Sequence, residues 1–170
     1  DVCSSDLGLM LHSDEEELHL RAKRGRQHTL RLARELIVHQ RKSRKTNLKQ
    51  MLDRIMQVQK KKSVVFLISD LMDEGFEKSL RSVGKKHDPI VVNILDKFET
   101  EIPTKLPPLL MEDGESGLLQ MFSPDQEVFH KAKELLDKNK SLCIEAGADW
   151  LPLSTSSDPA VELKNFFAKR

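Results

Sequence analysis

Hydrophobic residues change their spacing along the chain in a way that separates strands from helices. The run VVFLI at Val64–Ile68 has five consecutive apolar residues, three of them β-branched. Such a run is typical of a strand buried on both faces of a parallel sheet, so we predict strands at Ser63–Ser69 and Ile90–Leu95. Replacing Ile68 with Asp should then unfold the domain, because the change buries a charge.

Elsewhere, apolar residues recur at three- and four-residue steps, which is the spacing of an amphipathic helix. In the first helix these residues are Leu30, Ala33, Leu36 and Ile37. The predicted helices are Gln27–Gln40, Asn47–Gln59, Phe76–Gly84, Asp125–Ala146 and Pro159–Lys169. The remaining predicted strands are Leu7–Ser13, Leu18–Ala22, the hairpin pair Leu109–Met111 and Leu118–Phe122, and Trp150–Leu153. Strands and helices alternate from Ser63 onward, which predicts an α/β layered fold with right-handed crossovers.

Composition narrows the possible partners. The 170 residues suit one domain, and 28 basic against 27 acidic residues give a net charge of +1. That balance produces no global field for nucleic acid or an anionic membrane. The basic runs Lys23–Arg26, Arg41–Lys45 and Lys60–Lys62 lie in predicted loops without interleaved aromatic residues, so solvation is their default interpretation. No apolar stretch approaches the roughly 20 residues that span a bilayer, so no membrane segment is predicted here.

Two acidic side chains stand where an α/β sheet binds ligands, outside the carboxyl ends of its strands. Asp70 follows the strand at Ser63–Ser69, and Asp96 follows the strand at Ile90–Leu95. Each carboxylate could hold a hard cation, accept a phosphoryl group or cap the next turn. Thr46 precedes a helix, so its hydroxyl could cap that helix or coordinate a metal. A Thr hydroxyl with an Asp suits Mg²⁺ rather than zinc.

Other candidate residues favour structural roles. The six His show no metal-ligand spacing, and Cys143 in a helical pattern is most simply a buried small hydrophobe in a reducing compartment. Asp73 and Glu74, with Glu77, resemble acidic residues that complement the dipole at the start of the helix containing Glu77. The sequence has no phosphate-binding GxxxxGK[ST], no GxSxG and no GxGxxG motif.

The first seven residues need separate treatment. Asp1–Leu7, DVCSSDL, resembles the translated end of a common sequencing adapter. We therefore expect residues 1–7 to be an adapter artefact and exclude them from the domain. The alternative is a short native loop with two serines.

Several segments together resemble one family. They are KRGRQHTLRLARELI (Lys23–Ile37), KTNLKQMLDRI (Lys45–Ile55), SVVFLISDLMDEGFEKSLRSVGKKHDPIVVNILD (Ser63–Asp96), the E-x-x-x-P element Glu99–Pro103, MEDGESG (Met111–Gly117) and GADWLPLSTSSDPAVELKNFFAKR (Gly147–Arg170). Their order and spacing resemble the domain-of-unknown-function-58 family, von Willebrand factor A-like proteins commonly encoded beside MoxR-type AAA+ ATPases. The resemblance covers Gly8 to Arg170.

The resemblance implies a three-layer, Rossmann-type α/β fold with a mostly parallel sheet and helices on both faces. It also implies a metal-ion-dependent adhesion site built from a DxSxS loop, a Thr and an Asp. Thr46 in KTNL matches the Thr, and Asp70 in LISD matches the Asp. No DxSxS occurs in this sequence. We therefore expect residues 8–170 to be a von Willebrand factor A-like domain truncated at the N-terminus, lacking its first strand and helix, with an incomplete Mg²⁺ site.

These expectations favour a non-enzymatic, cytoplasmic protein-interaction module. By resemblance, the module is an adaptor or chaperone-like partner of a MoxR-type AAA+ ATPase, and it binds an unknown client protein. Mg²⁺ in the full-length protein would leave a coordination position for a partner's carboxylate. The alternative is an α/β enzyme that uses Asp70 as a phosphoacceptor or catalytic carboxylate. A third hypothesis, nucleic-acid binding through the basic loops, is disfavoured by the near-neutral charge.

Overall fold

The computed structural model describes residues 5–96, 109–112, 117–122 and 126–170. Within these residues the strands are β1 (Leu7–His12), β2 (Glu16–Lys23), β3 (Val64–Ser69), β4 (Asp88–Leu95), β5 (Leu109–Glu112), β6 (Leu119–Phe122) and β7 (Asp149–Ser154). The helices are α1 (Arg26–Val38), α2 (Leu48–Val58), α3 (Glu77–Lys86), α4 (Gln126–Glu145) and α5 (Pro159–Lys169). Every predicted element is present, with its ends shifted by a few residues.

A three-stranded parallel sheet forms the centre of the fold, with strand order β3-β4-β7. β1 pairs with β2 and β5 pairs with β6, and both of these pairs are antiparallel and separate from the parallel sheet. Ile68 of β3 aligns with Val92 of β4, which aligns with Leu151 of β7, so apolar side chains from all three strands share one face. The predicted α/β class is confirmed.

Three helices cover one face of the parallel sheet. Leu52 of α2, Leu80 of α3 and Cys143 of α4 pack in one buried cluster with Leu67 of β3 and Val91 of β4. Cys143 is fully buried, and burial raises the pKa of its thiol to about 11. The prediction that Cys143 behaves as a buried small hydrophobe is therefore confirmed.

Gly84 lies inside α3 and not at its end. A Cβ at this position would collide with the carbonyl oxygen of Ala146, just past the last residue of α4. Because Gly84 has no side chain, α3 and the end of α4 can approach closely, so this glycine has a packing role. It does not end the helix, and α3 continues to Lys86.

The fifth helix, α5, covers the opposite face. Leu163 and Phe166 pack on Ile90, Val92 and Leu151 of the two strands β4 and β7. The parallel sheet therefore lies between helices on both faces, and the predicted three-layer arrangement is confirmed.

Strand β3 is buried on one face only, and the prediction that it is buried on both faces is wrong. Val64, Phe66 and Ile68 are 51%, 46% and 64% exposed, whereas Leu67 is 4% exposed. In the described parts of the chain β3 pairs with β4 alone, and on its exposed face the ring of Phe66 lies 6.3 Å from that of Phe167 in α5. The central strand β4, in contrast, is buried on both faces. The expectation that Ile68→Asp unfolds this chain is therefore withdrawn.

Helix α1 also differs from its predicted packing. Leu32 is its buried residue, whereas the predicted apolar positions Leu30, Ala33, Leu36 and Ile37 are exposed. The helical spacing predicted the helix correctly but not the side that meets the rest of the protein. Periodicity alone carries no information about which neighbour is present.

Some predicted features lie outside the described residues. They are the E-x-x-x-P element Glu99–Pro103, most of the MEDGESG turn and the Asp125 start of the long helix. In the parts of the chain that the structure covers, no helix combines the length and apolar character needed to cross a membrane.

Adjacent residues of β3 give a direct test of this one-sided burial. We expect Leu67→Asp to cost about 4 kcal/mol or more in free energy of unfolding, because it places a carboxylate among buried apolar side chains. Ile68→Asp should leave this chain folded, because its side chain faces solvent. Urea unfolding followed by circular dichroism measures both, and equal losses for the two variants would contradict the assignment of faces.

His87 supplies a prediction about pH. The residue ends α3, is buried, and neither ring nitrogen has a hydrogen-bond partner in the described structure. Burial, together with neighbouring Lys86, lowers the pKa of His87 from its usual 6.5. As pH falls through about 6.5, His87 binds a proton in the unfolded chain but not in the folded chain. The free energy of unfolding therefore decreases by up to about 1.4 kcal/mol per pH unit. His87→Leu should flatten this part of the curve, and an unchanged slope would refute the role of His87.

Candidate functional site

The loop after β3 carries Asp70 and is held in an unusual backbone conformation. Leu71 has a φ of 58°, in the left-handed region that residues with a Cβ rarely adopt. Its side chain is buried in the main core, which offsets the conformational cost. This arrangement leaves the Asp70 side chain exposed, and its Oδ1 accepts a hydrogen bond from the Met72 backbone N–H at 3.2 Å.

Two buried asparagines fix the same loop through its carbonyl groups. Asn93 Nδ2 donates to the backbone oxygens of Ser69 and Asp70, at 3.4 and 3.2 Å. Asn139 Nδ2 donates to the backbone oxygen of Leu71 at 2.9 Å. Because Asn93 lies on β4 and Asn139 on α4, the position of Asp70 depends on two other elements of the fold.

A second loop meets this one at the start of α2. The carboxylate of Asp73 accepts the Leu48 backbone N–H at 2.6 Å and the Glu74 N–H at 2.8 Å. Asp73 therefore complements the start of α2, and the prediction that it complements α3 is wrong; Glu77, in the first turn of α3, has that position. The contact joins the Asp70 loop to the residues that follow Thr46.

Thr46 does not cap α2. Asn47 is the N-cap, and its Oδ1 accepts the Gln50 backbone N–H at 2.9 Å. Of the two roles that the sequence left open for Thr46, helix capping is therefore excluded. Its side chain is exposed, two residues before Leu48, whose N–H binds the loop that carries Asp70.

The loop preceding Thr46 is fixed by a buried carboxylate. Glu17 of β2 is 3% exposed at its side chain, and its Oε2 lies 2.6 Å from His39 Nε2. Its Oε1 accepts the backbone N–H groups of Lys42 and Ser43 at 3.1 and 3.4 Å. The hydrogen bond from His39, together with those from Ser13, Lys42 and Ser43, lowers the pKa of Glu17 to about 2 against the opposing effect of burial. The chain from His39 to Ser43 thus has a fixed path.

Asp96, the third oxygen-bearing candidate, lies at the ends of the neighbouring strands. Its Oδ2 accepts a hydrogen bond from Thr155 Oγ1 at 2.8 Å, and the Thr155 N–H donates to the backbone oxygen of Leu95. These bonds tie the loop after β4 to the loop after β7. A cavity of about 280 Å³ lies beside them. Asp96 therefore has a local structural role.

Thr46 and Asp70 offer the kind of donors that Mg²⁺ prefers, a hydroxyl and a carboxylate oxygen on neighbouring loops. Both are exposed, and the loops that carry them are joined by Asp73. Across the described residues, no three His, Cys, Asp or Glu side chains come together as a metal site. Two protein oxygens do not fill an octahedral shell, so a cation here needs ligands from water or from other residues.

Sequence reasoning missed the residues that position the site. Asn93 interrupts the apolar run IVVNIL, and a polar residue inside a central strand is a signal for a specific hydrogen bond. The structural roles of Asp73, Asn139 and Glu17 gave no comparable signal, because each holds a segment more than twenty residues away along the chain.

The fold and these loops define an α/β protein with oxygen donors at the carboxyl ends of its parallel strands. Residues 3–140 match the family described as Protein of unknown function DUF58. The chain belongs to this family.

Curated relatives of the chain occur in mycobacteria. The uncharacterized proteins Mb1516 of Mycobacterium bovis and Rv1480 of Mycobacterium tuberculosis are each 23% identical to the chain over 171 residues. The alignment covers 96% of this chain and 54% of each relative, so the chain spans about half their length. No solved structure gives a significant match.

Adjacent residues at the start of α2 provide a test of the loop geometry. We expect Asn47→Ala to cost about 1 kcal/mol in free energy of unfolding, because it removes the side-chain cap. Thr46→Ala should cost less than about 0.5 kcal/mol, as for an exposed surface position. Chemical denaturation of the two variants measures the difference. A larger loss for Thr46→Ala would show that its hydroxyl has a structural task after all.

Proposed function

We propose that the chain belongs to a non-enzymatic protein-interaction module of the von Willebrand factor A type. In the full-length protein, Thr46 and Asp70 would help to hold a Mg²⁺ ion that binds a carboxylate of the partner. The observation that carries this proposal is the pair of exposed oxygen donors on two loops that Asp73 joins. Both donors can still bind a cation. Asn47, and not Thr46, caps α2, and the hydrogen bond that Asp70 Oδ1 accepts from the Met72 N–H is local to its own turn.

The remaining ligands would come from a segment outside the described residues. Among the described residues the outer edge of β3 has no partner strand, which favours a further strand beside it, and the serine-rich metal loop of this protein class follows such a strand. The helix that follows in the domain, packed on the exposed face of β3, would then bury Val64, Phe66 and Ile68 and remove their unfavourable exposure to water. On this proposal, residues 8–170 are the part of the domain that follows its first strand and helix.

The proposed partner is a MoxR-type AAA+ ATPase, with a client protein acted on by the pair. We place this pair in the cytoplasm, where the ATPase has access to ATP. A metal-bound carboxylate suits an adaptor, because it makes binding dependent on both an acidic residue of the partner and the ion.

Substitution of the two donors tests the metal mechanism. In the full-length protein we expect Thr46→Ala and Asp70→Ala each to weaken Mg²⁺-dependent ATPase binding at least about tenfold, which corresponds to about 1.4 kcal/mol. Isothermal titration calorimetry with Mg²⁺ and with chelator measures the loss, and circular dichroism checks that the fold is kept. Glu74→Ala is a matched control, because it removes an exposed carboxylate from the same loop.

Two outcomes would contradict the proposal. Equal binding in Mg²⁺ and in chelator would exclude the metal mechanism. Stable transfer of phosphate from acetyl phosphate to Asp70 would instead support the alternative, an α/β enzyme that uses Asp70 as a phosphoacceptor.

A further inference from the structure

A loop of four exposed cations lies immediately before the proposed metal-binding threonine. Arg41, Lys42, Arg44 and Lys45 are all exposed, and we call residues 41–45 the basic loop. Because the extended chain spans at most about 3.5 Å per residue, the Cα atoms of all four residues lie within about 18 Å of the Thr46 Cα. The basic loop and the two proposed metal ligands thus belong to the same edge of the sheet.

Hydrogen bonds from other parts of the protein hold the backbone of the basic loop in place. The buried Glu17 carboxylate accepts the backbone N–H groups of Lys42 and Ser43, and Ser43 Oγ accepts the Lys45 N–H at 3.2 Å. The backbone N–H of Asn47 then donates to the Ser13 oxygen in the turn between β1 and β2. A fixed backbone lowers the conformational entropy that the loop loses on binding.

The local acids leave part of this charge unbalanced. Arg44 pairs with Glu112 at 3.3 Å, and Asp14 lies near Lys45 and interacts with Ser43. The Glu17 carboxylate, which contacts His39 and the Lys42 and Ser43 N–H groups, is a third acid beneath the loop. The four cations exceed these three carboxylates by one charge, and within the described residues no ion pair involves the side chains of Arg41 or Lys42, so these two form a positive patch on a fixed loop.

We infer that the basic loop is a docking surface for an acidic protein segment of the partner, beside the metal-bound carboxylate. This inference rests on the proposed function and extends it from one carboxylate to a run of several. Charge complementarity is the basis: an acidic segment can place one carboxylate on the ion and others against Arg41 and Lys42. A nucleic acid is the less favoured ligand, because the loop has no aromatic residue on which bases could stack.

The chain offers a matched control. Lys60–Lys62 is also an exposed basic run, but it precedes β3 and so lies at the opposite end of the sheet from Thr46 and Asp70. Neutralising two cations in each run changes the net charge equally. A difference in binding between the two variants therefore reports the position of the charges and not the overall field.

The experiment measures fluorescence anisotropy of a short labelled glutamate-rich peptide with the full-length protein at low salt. We expect the double variant Arg41→Gln with Lys42→Gln to weaken binding about tenfold, and Lys61→Gln with Lys62→Gln to change it less than about twofold. Thermal unfolding of each variant confirms that the fold is retained.

Each remaining outcome decides against the inference. If the two double variants lose peptide binding equally, the effect comes from net charge and not from the position of the basic loop. Tighter binding of a labelled oligothymidine than of the peptide, lost in the Arg41 and Lys42 variant, would assign the loop to nucleic acid.

Repeating the titration in chelator separates this inference from the proposed function. Suppose that peptide binding in chelator still depends on Arg41 and Lys42, and that partner binding is the same with and without Mg²⁺. The docking surface would then be supported and the metal mechanism rejected. If partner binding needs Thr46, Asp70 and Mg²⁺ but is unchanged when Arg41 and Lys42 are neutralised, the metal mechanism would be supported and the docking surface rejected.

Discussion

The Asp73 carboxylate joins the two loops on which the candidate site depends. Its hydrogen bond to the Leu48 N–H connects the end of β3 with the start of α2. A carboxylate at a helix N-terminus is favourable in itself, because it satisfies a free N–H and lies at the positive end of the helix dipole. With Asp73 taking this position and Asn47 capping the helix, Thr46 and Asp70 keep exposed oxygens at the same edge of the sheet. The structural bonds are thus made by their neighbours.

Strand β3, whose carboxyl end carries Asp70, forms one lateral edge of the parallel sheet. β4 lies between two strands and is covered on both faces, whereas β3 has one partner strand among the described residues and one well-covered face. Exposed apolar side chains on β3 and a site with only two protein oxygens are two separate observations. An additional strand with a metal loop would supply the missing ligands, and the helix that follows it would cover the exposed face of β3, which is why we connect the two observations in the proposed function.

Basic runs of similar composition have different structural settings in this protein. Arg41–Lys45 is fixed by the buried Glu17 carboxylate. Lys60–Lys62, at the other end of the sheet, is held through the Lys61 carbonyl oxygen, which accepts hydrogen bonds from Gln59 Nε2 and Ser63 Oγ. The sequence supports only solvation for both runs, because composition does not reveal which hydrogen bonds hold a loop. The distinction depends on a glutamate more than twenty residues upstream of the first run.

The sequence by itself determined the elements and their class. Apolar runs and helical spacing are local properties, so they located the strands, the helices and the α/β alternation, and they placed Asp70 at the end of β3. Only the tertiary structure decided which side of each element is buried, as Ile68 and α1 show, since burial depends on the neighbour and not on the residue. It also decided that Asn47 caps α2 and that Asp73, Asn93 and Glu17 hold the loops, because these hydrogen bonds join groups that folding alone brings together.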